Sequence, residues 1–133
     1  MMKPRIIVTG ATGKTGSVVA AELLQAGYPV RAMVRREDSR SARLKALGAE
    51  IAVADMSDAE RVADALKDVQ AAYYCPPFDP HMIQGAVAFA VAARDAGLEH
   101  IVGLTQWLAS TKIAPLVFRL STTYLLWTIS WRT

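Results

Sequence analysis

Short β-branched runs alternate with longer helical patterns along the first hundred residues, and this alternation limits the possible folds more than any other feature. Five apolar runs are predicted as strands: 5–9, 30–34, 51–54, 71–75 and 101–105. Four stretches with helical spacing separate them: 14–26, 39–47, 57–67 and 81–96. Strands joined by helices need right-handed crossovers, which give a parallel sheet covered on both faces. We predict a doubly wound α/β fold with five strands in the order 3-2-1-4-5.

Length and composition restrict the class of protein to which the chain can belong. The 133 residues allow one domain and not two, and a hydrophobic content of 53% is enough to build a core. The single cysteine, Cys75, excludes an intrachain disulfide, and the N-terminus lacks the long apolar region of a secretory signal. No uninterrupted apolar stretch is long enough to span a membrane. We therefore expect a cytoplasmic protein with no membrane span.

Basic residues are densest around the second predicted strand and the helix after it. They are Arg31, Arg35, Arg36, Arg40, Arg43 and Lys45. Glu37 and Asp38 interrupt the stretch, and the formal net charge of the chain is only +3. A nucleic-acid interface would need a broader basic stripe, so we expect no nucleic-acid partner. Local binding of an anion explains the stretch better.

A glycine-rich loop joins the first predicted strand to the first predicted helix. Here Gly10 permits a tight turn, Gly13 lets the backbone approach a pyrophosphate, and Gly16 lets the helix pack close to the strand. The helix N-terminus offers free amides and a positive dipole end, to which Lys14 and Thr15 add a charge and a hydroxyl. The spacing G-x-x-G-x-x-G is not that of a P-loop. It favours a dinucleotide site in a Rossmann-type sheet, at the carboxyl ends of strands 1 and 4. The alternative is a tight turn that binds nothing.

The two residues after the second predicted strand, Arg35 and Arg36, bear on which dinucleotide binds. An NAD site usually places an acidic residue about 20 residues beyond the loop, to accept from the ribose 2′-hydroxyl. A guanidinium only donates, and it pairs with phosphate. Both arginines therefore favour the 2′-phosphate of NADP(H), unless one or both are simply solvated. Glu37 and Asp38 come slightly late for the ribose role but keep NAD possible.

Further candidates follow the third and fourth predicted strands. Asp55 is placed either to meet the adenine amino group or to cap the next helix. Ser57, with Glu60 three residues later, predicts a capping box for that helix. Cys75 and Pro76 end the fourth strand beside the crevice and should line the ribose or nicotinamide side. The sequence suggests no metal site.

At these motifs the chain resembles the NmrA-like branch of the atypical short-chain dehydrogenases/reductases. The resemblance covers about residues 4–110, and its matching segments are 8–16, 30–35, 48–50, 54–58, 75–77 and 100–105. It implies that residues 1–110 form an NAD(P)-binding Rossmann domain. Some relatives reduce small molecules such as quinones, whereas others sense the redox state of the nucleotide pool and bind regulatory partners.

The resemblance also implies roles for individual residues. Contact with the diphosphate falls to Gly10, Thr12, Gly13, Lys14, Thr15 and Gly16. Arg35 would contact the 2′-phosphate, and Asp55 the adenine. Thr105 stands at the end of the fifth predicted strand, where typical reductases carry a serine that orients the substrate.

The chain departs from ordinary reductases where their acid/base chemistry would lie. Ordinary members use a Tyr-x-x-x-Lys pair, which none of the four tyrosines provides: Tyr28, Tyr73, Tyr74 and Tyr124. We therefore expect an NADP(H)-binding module that acts as a redox sensor without catalysis. The alternative is an NADPH-dependent reductase of a small carbonyl or quinone substrate.

Residues 111–133 depart from the family pattern, so we expect an atypical apolar tail in place of the relatives' C-terminal substrate region. A frame-shifted or artificially ended reading frame would explain the tail. The alternative is an amphipathic segment over 116–131 that touches a partner or a membrane. Without a sixth strand, the fifth strand becomes an exposed sheet edge. We expect either tail docking or self-association at this edge.

Overall fold

The computed structural model describes residues 2–77, 79–107 and 123–130, with the backbone alone for 105–107 and 123–130. The strands are β1 (Ile6–Val8), β2 (Val30–Val34), β3 (Glu50–Val53), β4 (Ala71–Tyr74), β5 (His100–Trp107) and β6 (Thr123–Ser130). The helices are α1 (Lys14–Gln25), α2 (Ser39–Ala46), α3 (Ala59–Ala65) and α4 (Met82–Asp95). The alternation of strands and helices predicted for the first hundred residues is confirmed.

All strands belong to one sheet, in the order β3-β2-β1-β4-β5-β6. The first five are parallel, and β1 lies at the centre, where Ile6 pairs with Val30 on one side and Ala71 on the other. The predicted order of these five strands is confirmed. The order reverses between β1 and β4, which opens a crevice at the carboxyl ends of these two strands.

The sixth strand, β6, was not predicted. It pairs antiparallel with β5 along its whole length, from Thr123 opposite Trp107 to Ser130 opposite His100. Residues 123–130 form a strand, while 108–122 and 131–133 lie outside the described part. The alternative of an amphipathic segment over 116–131 that touches a partner or a membrane stays a prediction. Residues of the tail thus cover the far edge of β5, which confirms tail docking, one of the two alternatives expected at this edge. Self-association stays a prediction.

Two apolar clusters hold the helices against opposite faces of the sheet. Neighbouring strand residues alternate between the faces, so that Ile7 enters one cluster and Val8 the other. The first cluster joins β1 to α3 and α4, with Phe89 as its largest fully buried side chain. The second joins β1 and β2 to α1 and α2, through Ala20 and Leu44. The sheet is therefore covered on both faces, as predicted.

The predicted start of α3 is wrong by one residue. Asp58, not Ser57, caps the helix, because the Asp58 carboxylate accepts from the N–H of Arg61 at 3.1 Å. Ser57 instead donates its N–H and its hydroxyl to Asp55, at 2.8 and 2.7 Å. Both carboxylates bind backbone amides more strongly than the serine hydroxyl does, and this explains the shift of the cap. The capping role considered for Asp55 is excluded.

Two members of the basic stretch have partners within the protein, and burial of the first, Arg31, corrects the prediction of anion binding for that residue. Arg31 is 8% exposed and donates to the carbonyls of Ala65 and Lys67 at 2.7 and 2.6 Å. It also forms an ion pair with Glu50 at 3.1 Å. Arg31 thus satisfies carbonyls at the C-terminus of α3, where a cation is favoured by the helix dipole. The second, Arg40, forms an ion pair with Asp38, the N-cap residue of α2.

Asp38 caps α2 and binds Arg40. Its carboxylate accepts from the N–H groups of Arg40 and Ser41, and Ser41 returns a bond to the N–H of Asp38. The Arg40 side chain, 2.7 Å away, is the main cause that lowers the pKa of Asp38 to about 2. Asp38 is therefore already engaged, which weakens its case as a ribose ligand.

This capping carboxylate predicts an acid-sensitive contribution to stability. A pKa lower in the folded chain stabilises the fold above the unfolded value of 3.8, and the gain is lost as pH falls toward about 2. Asp38→Asn preserves a capping side chain but cannot titrate. As the pH falls from 3.8 to about 2, the free energy of unfolding of Asp38→Asn should therefore decrease less than that of wild type. Urea unfolding at each pH measures both. Parallel losses in both proteins would contradict the assignment.

No helix in the described part of the chain has both the length and the apolar character needed to cross a membrane.

Candidate functional site

The glycine loop between β1 and α1 is closed so tightly that Gly16 excludes a side chain and Gly13 leaves little room for one. Gly10 has φ +57°, and its carbonyl accepts from the N–H of Gly13 at 2.9 Å. A Cβ added at Gly16 would lie 2.2 Å from the Gly10 oxygen, and one at Gly13 would lie 3.1 Å from it. Glycine at position 16 is thus needed for α1 to approach the end of β1. The close approach predicted from the spacing is confirmed.

The N-terminus of α1 faces this loop with neither a capping side chain nor an acidic residue in its first turn. The N-cap residue is Gly13. Lys14 is exposed, while Thr15 is half-buried. Uncapped amides, the positive end of the helix dipole and a lysine together favour a bound anion. The loop therefore fits the diphosphate of a dinucleotide.

Thr9, which the sequence reasoning missed, holds β4 beside the loop. It is fully buried, and its N–H donates to the Tyr73 carbonyl at 3.0 Å. Its hydroxyl oxygen accepts from the N–H of Cys75 at 2.9 Å and lies 3.4 Å from the Cys75 carbonyl oxygen. This side chain continues the β1–β4 ladder past the ends of both strands. A hydroxyl residue directly before the first loop glycine was the available signal.

Thr9→Val is expected to destabilise the protein by about 1–3 kcal/mol, because an isosteric methyl leaves the Cys75 N–H without its partner. Thr12→Val is the matched control: the Thr12 side chain is half-buried and makes no hydrogen bond within the described residues. It should change the free energy of unfolding by less than about 0.5 kcal/mol. Urea unfolding measures both. Equal effects of the two substitutions would contradict the role of Thr9.

Cys75 and Pro76 lie where predicted, at the carboxyl end of β4, and both are half-buried. The Cys75 sulfur is 3.9 Å from the hydroxyl oxygen of Thr15. A Cβ on Gly10 would lie 3.7 Å from the Cβ of Cys75, so this residue forms a wall of the loop. Thr105 belongs to β5, and its side chain lies outside the described part.

Arg35 and Arg36 directly follow β2 and are exposed. Neither side chain forms a hydrogen bond or ion pair with any residue that the structure describes, in contrast to Arg31 and Arg40. The end of β2 is joined to the residue after β3 by a bond from the N–H of Ala54 to the carbonyl of Val34, at 2.9 Å. Both arginines are therefore available to a ligand at this end of the sheet.

Asp55 shares that end of the sheet with Arg35. Its exposed carboxylate accepts both Ser57 bonds, and these bonds are the main reason why the pKa of Asp55 is lowered. The positive charge of Arg35 contributes a smaller part. Asp55 is thus ionised at neutral pH, held in a local turn, and stabilised in its charged form by the Arg35 guanidinium. A fixed acceptor here is compatible with the predicted contact to an adenine amino group.

The predicted residues therefore form two groups at the carboxyl ends of the strands. The glycine loop, Cys75 and Pro76 meet at the ends of β1 and β4, while Arg35, Arg36 and Asp55 lie at the ends of β2 and β3. In a parallel sheet these ends share one side, where α/β proteins bind their ligands. The individual contacts to a cofactor stay predictions.

Residues 2–105 match the sequence profile of the NmrA-like family. Among curated proteins, the NAD(P)H azoreductase of Xenophilus azovorans is 33% identical over 97 residues, which are 73% of this chain and 34% of the azoreductase. The chain thus spans about a third of the length of that relative.

Two solved structures share the architecture. Triphenylmethane reductase of Citrobacter sp., complexed with NADP(H), superposes with a TM-score of 0.69 at 28% identity, over 84% of this chain and 40% of the reductase. NmrA, a negative transcriptional regulator solved in complex with NADP, superposes with a TM-score of 0.72 over 80% of this chain and 35% of NmrA. At 18% identity, the likeness to NmrA shows the fold alone.

Proposed function

Since the chain belongs to the NmrA-like family, we propose that it binds NADP(H) at the glycine loop and acts as a nucleotide-binding redox sensor without turnover. The observation that carries the binding proposal is the uncapped N-terminus of α1, packed on the Gly10 carbonyl with no acidic residue in its first turn. That arrangement leaves amides and positive charge where a diphosphate would lie. The NADP(H) complex of triphenylmethane reductase supports the same ligand class.

In this proposal each group of residues binds one part of the cofactor. The loop amides and Lys14 hold the diphosphate, and Thr15 adds a hydroxyl donor. Arg35 pairs with the 2′-phosphate, and Arg36 lies next to it in the chain. Asp55 accepts from the adenine amino group. Cys75 and Pro76 line the ribose or nicotinamide side.

The absence of turnover is proposed because the Tyr-x-x-x-Lys pair is missing from the sequence and Tyr74 is poorly suited to acid/base catalysis. Tyr74, next to the candidate crevice residues, is 2% exposed and stacks on Phe89 with ring centroids 4.6 Å apart. Burial raises its pKa to about 12, so its proton is held more firmly than in water. A tyrosine that acts as the acid of a reductase needs the opposite shift, since it must give and take a proton near neutral pH. The tyrosines also lack the lysine of the Tyr-x-x-x-Lys pair.

A sensor must distinguish the oxidised from the reduced nucleotide. We expect calorimetric titrations to give unequal dissociation constants for NADPH and NADP⁺, and no NADPH oxidation above background with a quinone or an azo dye. Equal constants would remove the sensing role. Turnover with either acceptor would remove the non-catalytic role while leaving the binding site in place.

The second candidate is an NADPH-dependent reductase of a small carbonyl or quinone substrate. It is favoured by the 33% identity to an NAD(P)H azoreductase and by the fold shared with triphenylmethane reductase. When bound, the nicotinamide would supply the hydride, and residues of this chain would only hold and orient the cofactor. Acceptor-dependent NADPH oxidation that is lost in Lys14→Ala, a change at an exposed residue, while the variant unfolds in urea like wild type, would establish this candidate. A rate unaffected by that substitution would show that Lys14 has no part in it.

A further inference from the structure

The sheet ends in an unusual edge. Among the strands that the structure describes, β6 pairs with β5 alone, and their antiparallel ladder runs over all eight residues of each strand. In an antiparallel strand every second residue directs its N–H and C=O to one neighbour, and the residues between direct theirs to the other side. The outer side of β6 thus carries a row of backbone donors and acceptors along its full length.

This edge lacks the features that keep strand edges apart. Thr123–Ser130 reads Thr-Tyr-Leu-Leu-Trp-Thr-Ile-Ser, without a charged residue, a proline or a glycine. Natural edge strands are usually short, charged or interrupted. The opposite edge follows that rule, since β3 has four residues and carries Glu50, ion-paired with Arg31. The two edges of one sheet therefore differ sharply in their capacity to accept another strand.

We propose that the outer edge of β6 is a dimerisation surface, at which β6 of a second copy adds in antiparallel orientation and continues the sheet across both chains. A two-fold axis brings a strand against itself antiparallel, so each copy presents the ladder that the other needs. The uncharged sequence places no like charges opposite each other. A second copy thus supplies both a matching backbone ladder and an uncharged strand.

The protein offers a competing apolar surface, which serves as the control. Ile83, Val87 and Val91 lie at four-residue spacing on the outer side of α4 and are 75, 59 and 43% exposed. A dimer built on α4 would use this stripe. Charges placed on α4 and on β6 therefore distinguish the two arrangements.

Sedimentation equilibrium of the full chain over a range of concentrations is the primary test. We expect a monomer–dimer equilibrium in wild type. Leu126→Lys combined with Thr128→Lys should raise the dimer dissociation constant at least about tenfold, because like charges then meet across the two-fold axis. Val87→Lys combined with Val91→Lys adds the same charge on α4 and should leave the constant unchanged. A monomeric wild type, or dissociation caused by the α4 pair instead, would overturn the proposal.

Amide exchange in the wild-type chain tests the proposal without any substitution. Well below the dissociation constant, alternate amides of β6 should be protected by β5 while those between them exchange quickly. Well above it, both sets should be protected. Rapid exchange of the outer set at every concentration would overturn the proposal. So would protection of both sets in the monomer, which would mean that the edge is already covered within one chain.

Discussion

Gly16→Ala is expected to destabilise the protein by about 3 kcal/mol or more and to abolish NADPH binding. The added Cβ would stand 2.2 Å from the Gly10 carbonyl oxygen and 2.8 Å from the carbonyl carbon of the same residue. Both are backbone atoms, so no side-chain rotation relieves the overlap, and α1 must move away from β1. Overpacking in a well-packed interior costs about 1–3 kcal/mol, and a clash with backbone lies at or above that range. The displaced helix would no longer present its N-terminus to the loop.

Gly85→Ala is the matched control, because it makes the same substitution inside a helix that has room for it. A Cβ at Gly85 meets only the Tyr74 hydroxyl oxygen, at 3.9 Å. Alanine is the better helix former, so α4 should gain up to about 1 kcal/mol. Urea unfolding and NADPH titration of both variants measure the contrast. Equal stabilities for the two variants would show that the close approach of α1 to β1 is not required.

Arg35→Ala is expected to weaken NADPH binding about 10- to 100-fold and to leave NADH binding nearly unchanged. NADPH differs from NADH by its 2′-phosphate, and a charge-assisted hydrogen bond is worth about 1.5–3 kcal/mol. Because the Arg35 side chain is exposed and forms no hydrogen bond or ion pair with the described residues, it breaks no such contact when it meets a phosphate. Calorimetric titration with both nucleotides measures the change.

Arg43→Ala is the control for the loss of one positive charge. Arg43 is also exposed, but it lies in the last turn of α2, which leads to the start of β3 and not to the carboxyl ends of the strands. It should lower the affinity for NADPH less than twofold. Arg36→Ala separates the two neighbours, since an effect smaller than that of Arg35→Ala assigns the 2′-phosphate mainly to Arg35. An unchanged preference for NADPH in Arg35→Ala would show that the 2′-phosphate is recognised elsewhere.

Periodicity and glycine positions were enough to predict the parallel part of the fold. Strand and helix patterns have different repeats, and a fully parallel order leaves few ways to connect them. The glycine loop was predictable for a similar reason, because its spacing and its place between a strand and a helix have one common structural use. The structure agrees with this spacing, because a side chain at position 16 would overlap the backbone of Gly10.

The features that sequence reasoning missed depend on partners far away in the chain. Arg31 looked like one more exposed cation, but its partners Ala65 and Lys67 lie in or near α3. A charged residue in the middle of an otherwise apolar strand was the signal, since burial requires such a group to be paired. Thr9 was missed likewise, because its partner Cys75 is 66 residues away.

The pairing of β6 escaped prediction because its sequence lies outside the repeating pattern of strands and helices. Its β-branched and aromatic residues favour a strand, yet antiparallel addition to β5 depends on the free edge of the sheet and not on local pattern. The two alternatives considered at that edge, tail docking and self-association, now concern different strands. The tail pairs with β5, and the proposed dimer uses β6.

NADPH binding at the glycine loop is tested most directly by a titration of the ¹⁵N-labelled protein with NADPH, followed amide by amide. Binding at the glycine loop predicts large shifts of the Gly13, Lys14 and Thr15 amides, with further shifts at Arg35, that saturate at one equivalent of nucleotide. NADH should shift the same loop amides at higher concentration. Unchanged loop amides, whether because NADPH binds another surface or because it does not bind, would contradict the proposed site.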